Sequence, residues 1–336
     1  MIEIDGSHGE GGGQVLRTSL ALSIVTGQPF RLFNIRAGRK SPGLKKQHLA
    51  CVRAAKQINN ADVRGDAMDS MELSFAPDGI YPGQYRFSVG SAGSAALVYQ
   101  TVLLPLLHAD APSFVMIEGG THAAWAPPFD FLQHTFTPLL ERMGATTSLS
   151  AERLGFYPAG GGLLHARIQP WAQRERVELL ELTNSSLSAT AYISKLPAEV
   201  AQRELRKVKQ AFVLDDDALN TVDVRTPGPG NALCIYNHSE LVTEVVTAFG
   251  KRGVKAEVVA KAAIKEMLEY LEAGVPVGQH LADQLLLPMA LGAGGRFRTL
   301  EPSGHTRTNI ETIKRFLDIR IDVEPIDGAW EIRVGV

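Results

Sequence analysis

Three stretches of this chain repeat one another, and that repetition limits the fold more than any other feature. Residues 30–38, 113–120 and 296–304 each read as a strand running into a glycine turn, and helical patterns follow over 44–60, 129–143 and 309–317. Strand candidates come next in each copy, at 62–64, 146–150 and 320–324. Each copy is also preceded by a glycine-rich lead into another helix: Gly9 to Gly13 before 14–26, Gly90 to Gly93 before 94–108, and Gly274 to Gly278 before 279–291. Three copies of a two-helix, four-strand unit account for the pattern, which predicts an α/β fold of α+β-type repeats.

No copy covers residues 177–273. That segment predicts strands near 177–182 and 189–196, a helix from Pro197 to about 212, strands near 222–226 and 232–237, and helices over 240–249 and 257–272. Pro197 suits a first helical turn, and Gly274 with Pro276 stops the last helix. The predicted plan is a large domain of two units (1–176), a smaller α/β domain inserted before the third unit (177–273), and the third unit itself (274–336).

Such a plan needs enough apolar surface for one large core or two modest ones, and 45% hydrophobic residues in 336 supply it. The apolar run at 95–108 is interrupted by Tyr99, Gln100 and Pro105, short of the roughly 20 residues a membrane span requires. The first residues lack the basic and apolar regions of a signal peptide, so a cytoplasmic location is expected, with no membrane partner. Cys51 and Cys234 lie far apart in apolar surroundings and read as reduced core thiols. A net charge of −2 argues against a protein that coats long nucleic acid, though not against one that grips a single chain end. Basic residues do gather at Arg36, Arg39, Lys40, Lys45 and Lys46, in a loop that is either solvated or beside a phosphate site.

Thr308 and Glu311 have capping-box spacing, which predicts a helix from Asn309 with His305 in the turn just ahead. The positive end of a helix disfavours imidazolium and welcomes phosphate oxygens, so a histidine there could attack a nucleotide as a neutral nucleophile. The alternative is a surface histidine bonded to a loop carbonyl. The glycine loop from His8 to Gln14 lets backbone amides approach an anion, but no Gly-Lys-Ser/Thr follows, and Gln14 replaces the third glycine of a dinucleotide fingerprint. Glu10 in that loop would repel phosphate unless a divalent cation lay between them, or it is a helix-start acid. Arg17 is a phosphate partner or a solvated helix residue. Gln100 reads as an adenine-competent amide or a buried polar group, Asp283 as functional or as a helix-start acid, and Ala126 to Asp130 as a rigid turn.

Together, the motifs Gly9 to Arg17, Arg36 to Arg39, Gln47 with His48, Gly90 to Gly93, Gly155 to Gly162, Leu281 to Leu285 and the His305 turn resemble the RNA 3′-terminal phosphate cyclases along nearly the whole chain. The resemblance implies that His305 accepts AMP from ATP and that Glu10 meets a divalent cation, Mg or Mn. It places Gln100, Pro127, Asp130, His280, Leu281, Ala282, Asp283 and Gln284 around ATP, and Arg17, Arg36, Arg39 and Gln47 toward phosphates or the RNA end. The implied partner is RNA with a 3′-terminal phosphate, whose end takes the AMP and then closes to a 2′,3′-cyclic phosphate; monomer and homodimer are both compatible. His280 departs from the family pattern, which has tyrosine there. The competing readings are a non-catalytic, cyclase-like protein of ribosome assembly and an enolpyruvyl transferase on a related fold.

Overall fold

The computed structural model describes residues 1–335, and in it the three units share one strand topology. The first comprises β1 (Ile2–Asp5), α1 (Gly13–Thr26), β2 (Phe30–Phe33), α2 (Lys46–Asn59), β3 (Asp62–Arg64) and β4 (Leu73–Ala76). Its sheet order is β1-β2-β4-β3: β1 and β2 pair in parallel across the α1 crossover, and β4 lies antiparallel to both β2 and β3. The second unit has β5 (Gln84–Ser88), α3 (Ala95–Leu107) and β6 (Ser113–Gly119). It continues with α4 (Phe129–Phe131), a π turn (Leu132–Phe136), α5 (Thr137–Arg142), β7 (Thr147–Arg153) and β8 (Gly162–Ile168), and its order β5-β6-β8-β7 keeps the same directions.

The third unit is split. After β9 (Val177–Leu179) the chain builds β10 (Ser185–Ser194), α6 (Ala198–Phe212), β11 (Leu219–Asp223), β12 (Gly230–Ser239), β13 (Thr243–Phe249) and α7 (Ala256–Ala273). It then returns for α8 (Gln279–Leu291), β14 (Gly295–Thr299), α9 (Gly304–Phe316), β15 (Ile321–Ile326) and β16 (Ala329–Val334). The strand expected at the head of the insertion is hydrogen-bonded elsewhere: β9 pairs in parallel with β14, in the sheet β15-β16-β14-β9. The insertion thus interrupts the parallel crossover of the third unit. A crossover tolerates this because closure entropy grows only slowly with connection length.

Residues 243–249 form a strand rather than the helix expected over 240–249. Val245, Val246 and Thr247 are β-branched, and antiparallel pairing with β12 gives them a pleated surface to pack on. The strand has a second consequence: Glu244 accepts a hydrogen bond from the Gly278 amide at 3.1 Å, tying the insertion to the start of α8. Burial pushes the Glu244 carboxyl up to about 7.

Helix α1 is buried over most of its circumference and packs against α2, α3 and α9, so it lies where the units meet. One core draws on all three units, while a smaller one is formed by buried residues between Ala189 and Tyr270. Cys51 and Cys234 are buried and unpaired. No described helix is long and apolar enough to cross a membrane.

The β9–β14 pairing depends on Gly295, whose φ is 148° and whose added Cβ would lie 2.1 Å from the Val177 carbonyl oxygen. Gly295→Ala is expected to cost about 2–4 kcal/mol in urea unfolding. A loss below about 0.5 kcal/mol would mean that the strands can part without penalty.

Candidate active site

Helix α9 starts earlier than the capping-box spacing predicts. Ser303 is the N-cap, its hydroxyl accepting from the Thr306 amide at 3.2 Å, so His305 lies inside the first turn. The predicted box does not form because its members have other partners. The Thr308 hydroxyl donates to the Gly304 carbonyl at 2.8 Å and accepts from the Glu10 amide at 3.2 Å, while Glu311 meets Nε2 of His8 at 2.6 Å. These contacts lay the glycine loop against the first turn of α9. Gly9 makes the approach possible: its φ is 59°, and a Cβ there would be 2.1 Å from the Thr308 hydroxyl.

His305 meets the start of α1 and is linked through it to Asp283 of α8. Its Nδ1 lies 3.2 Å from Oε1 of Gln14. Nε2 of Gln14 donates to both carboxylate oxygens of Asp283, at 2.5 and 2.6 Å. Nδ2 of Asn309 donates to Asp283 Oδ1 at 3.1 Å, and the Thr18 hydroxyl fixes that amide by donating to Asn309 Oδ1 at 2.8 Å. Burial raises the Asp283 carboxyl, and the bonds from Gln14 and Asn309 with the nearby His305 and Arg17 charges oppose that rise.

Arg17 lines the same small cavity as Gln14, Gln100, Asp283 and Gln284. It makes no hydrogen bond or ion pair among the described residues, and burial lowers its pKa, so it is a desolvated cation. His48 contacts this corner too. Its Nδ1 accepts from the Lys45 amide at 3.0 Å; burial, with the charges of Arg17, Arg36 and Lys45, holds the ring at about 3 and hence neutral. Arg39 donates to the Glu10 carbonyl at 2.5 Å and reaches Glu10 Oε2 at 3.4 Å. Gln47 accepts from the Ser94 amide at 3.3 Å, linking the first unit to the start of α3. Gln100 and Gln284 bond to each other through their amides.

The other predicted residues lie differently. Arg36 turns back into its own loop, donating to the Ser41 and Gly43 carbonyls at 2.7 and 2.9 Å. Leu281 and Ala282 are buried in the core, so only their backbone could face a ligand. His280 is exposed and pairs loosely with Glu266 of α7 at 3.5 Å, which raises its pKa. Pro127 is half-buried in the turn before α4. Asp130 is buried beneath the insertion, where His122, Tyr192 and Tyr236 donate to its carboxylate.

Sequence reasoning gave no role to Thr18 or Asn309 and noted Gln14 only as a break in a glycine pattern. One signal was available. Asn309 follows His305 by four residues and therefore shares its helix face, but only once the helix begins at Gly304.

Comparison with known proteins agrees along the whole chain. A family model described as RNA 3′-terminal phosphate cyclase matches residues 8–323. A protein of that name from Koribacter versatilis is 47% identical over 337 residues, covering 100% of this chain and 95% of its own. Another from Ralstonia nicotianae is 47% identical over 341 residues, covering 100% and 97%, and one from Ectopseudomonas mendocina is 46% identical over 321, covering 95% and 94%. Among solved structures, the enolpyruvyl transferase NikO from Streptomyces tendae aligns over 98% of this chain and 47% of its own, at 11% identity and a TM-score of 0.38; nothing is argued from so weak a likeness. On the family match and the nearly full-length relatives, this chain belongs to the RNA 3′-terminal phosphate cyclase family.

Proposed function

We propose that the protein uses ATP to convert an RNA 3′-phosphate into a 2′,3′-cyclic phosphate, with His305 carrying AMP between the two. The observation that carries this reading is the position of His305: it stands exposed in the first turn of α9, one ring nitrogen held by Gln14, directly beside the glycine loop. A helix start favours phosphate oxygens, and unpaired Arg17 adds a cation on the same side. A role limited to holding RNA would leave this nucleophile without use.

In the first step Nε2 of His305 attacks the α-phosphorus, the bond to the bridging oxygen breaks, and pyrophosphate leaves. An RNA 3′-phosphate oxygen then attacks the same phosphorus and the phosphorus–nitrogen bond breaks, leaving AMP joined to the RNA end. Finally the neighbouring 2′-hydroxyl attacks the 3′-phosphorus, loses its proton to solvent and expels AMP. This closure is intramolecular, so positioning of the end supplies much of its rate. Arg17, Arg39 and Gln47 are suited to hold that end, and the Gln100 and Gln284 amides to meet adenine above Pro127.

Glu10 suits a divalent cation. Its carboxylate is partly exposed, lies 3.4 Å from Arg39, and faces Gly304 next to His305. A single carboxylate fits Mg or Mn, which take their remaining ligands from phosphates and water. Bound there, the cation would offset the charge of the departing pyrophosphate.

Wild-type protein with ATP and Mg or Mn is expected to make the terminal phosphate of a 3′-phosphorylated RNA resistant to phosphatase and to leave a 3′-hydroxyl RNA unchanged. Ends that stay phosphatase-sensitive with either metal would reject the proposal.

A further inference from the structure

We infer that Gln14 and Asp283 form a relay that keeps the proton of neutral His305 on Nδ1, leaving Nε2 bare for attack, and that stabilises the ring once it becomes positive. The inference rests on the reading of His305 as nucleophile. It concerns residues that position the ring without touching the reacting atoms.

The groups that can only accept decide the tautomer of the ring. Asp283 accepts at both carboxylate oxygens, Oδ1 from Gln14 and Asn309 and Oδ2 from Gln14, so both amides present nitrogen to it. Asn309 does so, and its orientation is fixed independently because the same nitrogen lies 3.1 Å from the Asp283 backbone carbonyl, which can only accept. Gln14 does so too, its nitrogen lying 2.5 and 2.6 Å from the two carboxylate oxygens. Its oxygen therefore faces His305. Because a carbonyl oxygen also only accepts, the ring nitrogen 3.2 Å away must carry the hydrogen. In a neutral imidazole, the remaining nitrogen is then a lone pair.

The same chain acts during the reaction. As Nε2 bonds to the α-phosphorus and pyrophosphate leaves, the ring keeps its Nδ1 hydrogen and gains a positive charge. The Asp283 carboxylate, transmitted through the polarised Gln14 amide, opposes that charge, much as a buried carboxylate does for a catalytic histidine directly bonded to it. When RNA takes the AMP, the electron pair of the broken bond returns to Nε2 and the ring is neutral again. Other charges near this corner are Glu10 and Arg39 on the loop side and Arg17 on α1; among the described residues none of these bonds to Nδ1.

Two measurements test the relay. In the ligand-free wild-type protein, nitrogen-15 NMR of the His305 ring should show Nδ1 protonated and Nε2 bare at a pH where the ring is neutral; an Nε2–H tautomer would overturn the inference. In single-turnover adenylylation with labelled ATP, Gln14→Ala should lose about 100-fold in rate with nucleotide affinity within about threefold of wild type. The double variant Gln14→Glu/Asp283→Asn reverses the donor and acceptor between these positions while keeping one negative charge. It should recover at least about tenfold over Gln14→Ala. An undiminished rate in Gln14→Ala, or a loss confined to ATP affinity, would refute the relay. The NMR result needs no ATP, so it stands even if Gln14→Ala fails to fold. Failure of wild-type protein to become labelled at all would instead count against the proposed function.

Discussion

Replacing His305 with alanine is expected to abolish covalent labelling of the protein by ATP carrying its label in the α-phosphate, a loss of at least about 10⁴-fold in adenylylation rate. The wild-type adduct should be acid-labile, as a phosphorus–nitrogen bond is, and stable to alkali. Structure should hardly change. His305 is exposed, and its hydrogen bond to Gln14 at 3.2 Å is the contact most directly lost, so urea stability should stay within about 1 kcal/mol of the parent. That separation of a large chemical loss from a small stability change distinguishes a nucleophile from a structural histidine. Retention of the label by the alanine variant would place the nucleophile on another residue.

The His305 region also shows what could be read before the fold was known. Its residue type and closeness to a helix start were legible, because glycine, a small polar residue and an apolar periodicity announce such a start locally. The starting position was not. Two caps compete within a few residues, Ser303 and Thr308, and Thr308 loses because its hydroxyl is engaged by the Glu10 amide from the other end of the chain. Propensity rules contain no such partner. Gln14 was obscured for a related reason: its role comes from Asp283 and His305, 269 and 291 residues away. By contrast, α8 falls on the residues expected, 279–291, because its glycine-rich lead and apolar pattern are both local. Strand β13 lies between these cases. Its β-branched run was visible, but alternation over so few residues also fits a short amphipathic helix, and pairing with β12 decides the outcome.

Asp130 marks the limit of local reading and carries the second large expectation. The resemblance placed it near ATP, yet it lies 1% exposed where the second unit meets the inserted sheet. Oδ2 takes Nε2 of His122 at 2.8 Å, and Oδ1 takes the hydroxyls of Tyr192 and Tyr236 at 2.7 and 2.5 Å. Cys234 lies close enough to join His122 and Asp130 as a trio of metal-ligand types, but hydrogen-bond donors already engage both carboxylate oxygens. Asp130→Ala would strand two buried donors, His122 and Tyr236, and the half-buried Tyr192 hydroxyl at once, and a loss of about 3–5 kcal/mol in urea unfolding is expected. The effect of pH follows from the carboxyl's altered affinity for its proton. Burial alone would raise its pKa; the His122 hydrogen bond and charge, with the two tyrosine hydroxyls, outweigh burial and hold it at about 2, below the usual 3.8. A group whose folded pKa is depressed stabilises above its unfolded value and loses that contribution as pH falls through the folded one. The ionised carboxylate therefore adds about 2 kcal/mol near neutrality, lost between about pH 4 and pH 2. Asp130→Asn preserves the side chain's size but cannot titrate, so its stability deficit relative to wild type should shrink across that window. A deficit that stays constant from pH 5 to pH 2 would mean the carboxyl binds its proton equally well folded and unfolded, and a deficit that grows as pH falls would mean it is held neutral in the folded protein; either result rejects the charged hub.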